Sequence, residues 1–184
     1  MMKNIFRIAA VAFLSATFFM TSCKKEVTTP TTNNTPSKTD YISMTVNGST
    51  WESDARSKNI DFFGTQTPSI LASLDADTLT MFAYKTAASD SSMVWVGVVL
   101  NANRVGSYTL DGTDNYVAYT NGTDFTTAFM KLFAYDGFSG TLNITEFDSV
   151  NNTITATFTA NMTSTQGAPA IAMASGKITK VKYN

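Results

Sequence analysis

Apolar and polar residues alternate from residue 154 to residue 162. Ile154, Ala156, Phe158, Ala160 and Met162 stand against Thr155, Thr157, Thr159 and Asn161. A period of two is that of a strand with one buried and one wet face, and β-branched residues suit such a surface. Ile42, Met44 and Val46 alternate in the same way with Ser43 and Thr45. Asn47-Gly48 then supplies the pair favoured where a type I′ hairpin turn needs two positive φ angles, and Ser49-Thr50-Trp51 begins the return strand. Asn151-Asn152 marks a similar turn between strands over 142–147 and 153–162. Glu146 breaks the inward parity of Leu142 and Ile144 just before Phe147. A β-bulge or strand end accounts for that mismatch, with a functional carboxylate as the alternative.

Residues 93–100 differ, being apolar at every position apart from Gly97. Such a run predicts a central strand covered on both faces. Further strands are expected over 61–63, 69–74, 78–85, 106–110, 116–120, 129–135 and 170–183. Gly, Asn and Asp clusters separate them at the intervals of a sandwich or barrel. The segment 124–135 fits two patterns. Phe125, Phe129, Leu132 and Phe133 form a helical stripe behind a capping Asp124, but the apolar run over 129–135 also reads as a strand, the assignment preferred here. The expected fold is all-β: an antiparallel β-sandwich or a partly closed β-barrel.

The N-terminus has another organisation. Lys3 and Arg7 precede a 13-residue, mostly apolar run from Ile8 to Met20, then Thr21-Ser22-Cys23. This run falls short of the about 20 residues that span a bilayer and describes a secretory signal-peptide helix over residues 1–22. The Cys placed after the small residues resembles the lipobox of bacterial lipoproteins. That resemblance implies a lipidated Cys23 as mature N-terminus and a membrane partner through the lipid. Residues 24–40 are rich in Thr, Pro, Asn and Lys, with Val27 the only aliphatic residue. They cannot bury enough apolar area to order themselves, so residues 23–40 are expected to form a disordered tether. Residues 41–184 then make one all-β domain of a size that folds without staples.

Composition narrows the chemistry. Cys23 is the single cysteine and histidine is absent. No disulfide framework, Cys-based metal site, Cys nucleophile or Ser-His pair is therefore available, and a non-enzymatic protein without cofactor is expected. From Tyr41 onward 8 basic residues face 12 acidic ones, a net of −4. Nucleic-acid binding calls for a basic face instead.

Several strings together resemble an uncharacterised family of small Bacteroidota lipoproteins, a domain of unknown function. They are Met44-Thr45-Val46-Asn47-Gly48 with Trp51, Val105-Gly106-Ser107-Tyr108-Thr109-Leu110, and Gly140-Thr141-Leu142-Asn143-Ile144-Thr145 leading through Asn151-Asn152 into residues 154–158. Ser175-Gly176-Lys177-Ile178 closes the set. Members often carry Gly where Ala156 stands. The resemblance implies export, an all-β fold and an outer-membrane location, and carries over no functional residue. Lys25-Glu26 looks like a short version of the signal that sends some such lipoproteins to the cell surface, which leaves surface and periplasm both open.

Candidate sites follow. Asp111, Asp114 and Asn115 offer oxygens to Ca²⁺ in a Gly-bearing loop, but turn chemistry alone explains them, as it does Asp75 and Asp77. Trp51, Tyr116 and Tyr119 could form a platform for sugar rings, against the reading that aromatics such as Trp95 and Phe129 are core. Asp77-Thr78-Leu79 and Asp148-Ser149-Val150 resemble Bacteroidota O-glycosylation strings, which makes Thr78 and Ser149 the acceptors. The expected role is a non-enzymatic envelope lipoprotein, binding or structural, with a surface glycan or small ligand as the alternative and an envelope protein as a further partner.

Overall fold

The alternating segments pair into antiparallel ladders. A computed structural model describes residues 38–87 and 91–184. The strands are β1 Tyr41–Val46, β2 Ser49–Glu52, β3 Asn59–Phe62, β4 Thr65–Pro68, β5 Ile70–Asp75, β6 Thr78–Lys85, β7 Ser91–Val99, β8 Gly106–Leu110 and β9 Tyr116–Gly122. One helix, α1 Phe125–Lys131, runs into a single 3₁₀ turn, Leu132–Ala134, before β10 Gly137–Asp148, β11 Thr153–Thr163 and β12 Ile171–Lys182. Six strands form one sheet in the order β2-β1-β12-β11-β10-β8, four form a second in the order β5-β6-β7-β9, and β3-β4 is a separate hairpin. No sheet closes on itself, so the fold is a sandwich and not a barrel.

Burial follows the period of two. Ile154, Ala156, Phe158, Ala160 and Met162 are all buried, as are Ile42 and Met44. They meet the inward row of the second sheet, where Leu79 pairs with Val98, Met81 with Val96 and Ala83 with Val94. Asn47 (φ 47°) and Gly48 (φ 84°) make the expected positive-φ hairpin turn. The ladder slips between Ile144 and Glu146, so Thr145 is the extra residue of a bulge. Parity flips there, which leaves Glu146 exposed and returns Phe147 to the interior side. The carboxylate is a consequence of the bulge.

Strand β7 is covered on both faces. On its outer side Trp95 stacks on Phe82 at 5.2 Å and meets Tyr116 edge-on at 5.0 Å. Phe129 of α1 lies 6.1 Å from Trp95, and Phe62 of the β3-β4 hairpin lies 5.7 Å from Phe129. Helix and hairpin thus make a third layer over the smaller sheet. Trp95 Nε1 is buried there without a hydrogen-bond partner, a cost offset by the aromatic area around it.

Two expectations about secondary structure need correction. Of residues 129–135, preferred as a strand, 129–134 belong to α1 and the 3₁₀ turn, and Tyr135 is the extended residue that caps the turn. Asp124 decides this locally: its backbone is extended, and its Oδ1 accepts from Thr127 N–H at 2.8 Å. The helical stripe then buries Phe125, Ala128 and Leu132. Phe63, expected at a strand end, instead occupies a hairpin turn at φ 53° ahead of Gly64 at φ 78°. A bulky residue is uncommon there, which concealed the turn and with it strand β4. Asp61 steadies the turn by accepting from Gly64 N–H at 2.8 Å.

Residue Asp40, read as tether, is held at the edge of the domain. Its carboxylate takes both Arg56 Nε at 2.6 Å and Arg56 Nη2 at 2.9 Å, and its N–H donates to the Thr179 carbonyl at 2.7 Å. The signal segment 1–22, Cys23 and residues 24–37 lie outside the described residues.

Candidate functional site

One end of the sandwich carries an open cleft of about 700 Å³. Its first wall is the tip of the β1-β2 hairpin, with Val46, Asn47, Ser49 and Thr50. Asn47 fixes that tip, its Oδ1 accepting from Ala172 N–H at 2.8 Å and its own N–H donating to the Ala172 carbonyl at 2.9 Å. The floor comes from Trp51 of β2, Ser92 of β7 and Tyr119 and Thr120 of β9. The opposite wall is the end of α1, the 3₁₀ turn and the 168–171 segment. That wall is tied by Tyr135, whose hydroxyl donates to the Pro169 carbonyl at 3.1 Å. Asp136 holds the same connection by accepting from Thr165 N–H and its hydroxyl.

Each floor residue has a structural reason for its place. Trp51 is only 4% exposed, and its Nε1 donates to Ser92 Oγ at 2.7 Å. The indole meets the Tyr119 ring edge-on, with centroids 6.2 Å apart at 86°. An edge-on pair is a favourable aromatic arrangement but not a flat one. The expected platform of Trp51, Tyr116 and Tyr119 is therefore not formed. Tyr116 and Tyr119 sit three positions apart on β9 and so face opposite ways. Tyr116 packs outward over Gly97 and against Trp95, where burial pushes its hydroxyl pKa above the ordinary range. What the fold brings together is Trp51 and Tyr119, in a concave wall.

The charge of the cleft was not anticipated. Lys85, from the end of β6, and Lys131, from the last turn of α1, are the charged side chains among its described lining residues. Neither has an ion-pair partner among the described residues, whereas Arg56, Lys58 and Lys38 pair with Asp40, Asp54 and Glu52. The two lysines are 46 positions apart in sequence, and α1 carries the second of them. Reading 129–135 as a strand hid the pairing.

The acidic loop serves the turn. Asp111 Oδ1 accepts from the N–H groups of Thr113, Asp114 and Asn115 at 2.9, 3.2 and 3.3 Å, and Asn115 Oδ1 accepts from Val99 N–H at 2.9 Å. Those hydrogen bonds, that from Thr113 foremost, hold the Asp111 carboxyl below its usual pKa. No three His, Cys, Asp or Glu side chains gather around a common point among the described residues. Thr78 is exposed at the first position of β6, and Ser149 is exposed in the β10-β11 turn. Asp148 shapes that turn by accepting from Val150 and Asn151 N–H, both at 2.9 Å.

Comparison with known proteins adds no relative: no family model matches the chain, and no curated protein or solved structure matches it.

Proposed function

We propose that this chain is a non-enzymatic lipoprotein of the cell envelope that binds a small ligand, a glycan or part of one, in the cleft at the end of its sandwich. The observation that carries the binding reading is the cleft itself, built from Trp51, Tyr119 and Lys85 on the sheets and Lys131 and Tyr135 beyond them. A concave site with an apolar wall and a few convergent polar groups is the usual form of a small-molecule site. Its walls are pinned by Asn47 and Tyr135, so a ligand would enter a largely preformed shape. The envelope part of the reading rests on the sequence order of basic start, apolar run and Cys23.

A glycan array probed with the full-length protein tests the binding role. The expected result is retention of a defined subset of glycans, weakened at least about tenfold in Tyr119→Ala, the scale of losing one well-packed aromatic contact. Circular dichroism of the variant separates that loss from unfolding. An array with no retained glycan would leave the scaffolding role in its place.

A further inference from the structure

We infer that the cleft selects ligands bearing a carboxylate or phosphate, held by Lys85 and Lys131, while the half-buried Tyr119 ring, backed by the buried Trp51, takes an apolar face. This rests on the reading of the cleft as a binding site and adds its charge requirement.

The domain from Tyr41 onward is acidic overall, 8 basic residues against 12 acidic, so a basic cleft is a local exception. Three cations elsewhere in the domain have partners, and Lys177, Lys180 and Lys182, which lack an ion pair among the described residues, lie on β12 away from the cleft lining. Arg56 bonds both oxygens of Asp40 as well as the Ile70 and Lys182 carbonyls, Lys58 pairs with Asp54, and Arg104 lies 4.9 Å from the Phe147 ring. Lys85 and Lys131 have no such partner among the described residues, and both line the same cleft. Lys85 is also half-buried. An ammonium that lines a concave cleft attracts an anion more strongly than one on an open surface. The remaining polar lining beside the tyrosines, Asn47, Ser49, Thr50, Ser92, Thr120 and Asn121, is uncharged. It can hydrogen-bond hydroxyl groups without repelling an anion. The chemistry that fits all of this is an acidic sugar.

Isothermal titration of the full-length protein with glucose, glucuronic acid and glucose 6-phosphate tests the inference. One or both acidic sugars should bind at least about tenfold tighter than glucose, and that preference should shrink as salt rises toward 0.5 M because exposed charge attraction is screened. The stronger of the two identifies carboxylate or phosphate as the anion. Lys85→Met with Lys131→Met keeps the apolar stems and should erase the preference, so that this variant binds glucose and both acidic sugars with equal affinity. Equal affinity of the unsubstituted protein for glucose and the acidic sugars would overturn the charge requirement and leave the cleft as a neutral-sugar site. Absence of binding by all three, with neutral glycans still retained on the array, would overturn it in the same way. Absence of binding in both experiments would remove the cleft reading as well.

Discussion

Gly97 leaves the space that the Tyr116 ring fills. A β-carbon at that position would fall inside the van der Waals envelope of the ring, so the absence of a side chain on β7 fixes where an aromatic on β9 goes. Tyr116 is thereby committed to the Trp95 cluster and lost to the cleft. Gly97→Ala should cost about 1–3 kcal/mol by overpacking, read as a lower urea midpoint with unchanged slope. Sugar binding in the cleft should be unaffected, because Tyr119 lies on the other face of the sheet and Trp51 belongs to the larger sheet. The sequence shows Tyr116 and Tyr119 as equivalent tyrosines; strand parity separates them, and parity was legible once the strand was assigned. Which parity faces the cleft was not, since both faces of this sheet are covered.

Helix α1 is the element on which the site turns. At seven residues it is too short to be stable alone, and packing of Phe125 and Ala128 together with the Asp124 cap holds it in place. Asp124→Ala removes that cap and should destabilise the protein by about 1 kcal/mol. Because α1 presents Lys131 to the cleft, the same variant should bind glucuronic acid or glucose 6-phosphate more weakly while its affinity for glucose stays the same. Thermal melting and titration of one sample check both outcomes. The capping residue and the helical stripe were both present in the sequence, yet a short apolar run supports strand and helix equally. The hairpin opposite was concealed for a different reason: its turn uses Phe63 where Asn or Asp is usual, and the flanking strands are four residues each.

At the scale of the whole molecule, the absence of histidine sets the pH behaviour. No side chain of ordinary pKa titrates between about pH 5 and 8, so stability should be flat across that range. Below it, the carboxylates of Asp111, Asp124, Asp136 and Asp148 matter. Hydrogen bonds hold each below its ordinary value of 3.8 in the folded chain, the leading donors being the N–H groups of Thr113 and Thr127, the Thr165 hydroxyl and the Asn151 side chain. For Asp54, burial alone would raise the pKa, but hydrogen bonds from Lys58 and Thr86 outweigh it and the net direction is down. A depressed folded pKa means the unfolded chain takes up protons first as pH falls. Stability is therefore fully present above the unfolded value and is lost as pH drops through the folded values. Urea midpoints measured from pH 7 to pH 2 should hold level and then decline below about pH 4.

Attachment is tested at the same scale. Cys23→Ser should move the protein from the membrane fraction to the soluble fraction, with the far-ultraviolet spectrum of the β-domain unchanged. Retention in the membrane after that substitution would remove the lipid anchor from the proposed function.

Local rules carried the sequence a long way. Period-two alternation marked β1 and β11, Asn47-Gly48 marked a turn, and the mismatch at Glu146 marked a bulge or strand end, because each depends on residues a few positions apart. The excluded chemistries came from composition alone. Tertiary structure decided everything that depended on which distant elements share a face. It decided between sandwich and barrel, placed α1 and the β3-β4 hairpin over the smaller sheet, and set Lys85 beside the same cleft as Lys131. No periodicity records those meetings. They follow from how twisted sheets, a short helix and a hairpin bury their remaining apolar area together, and that is a property of the packed molecule.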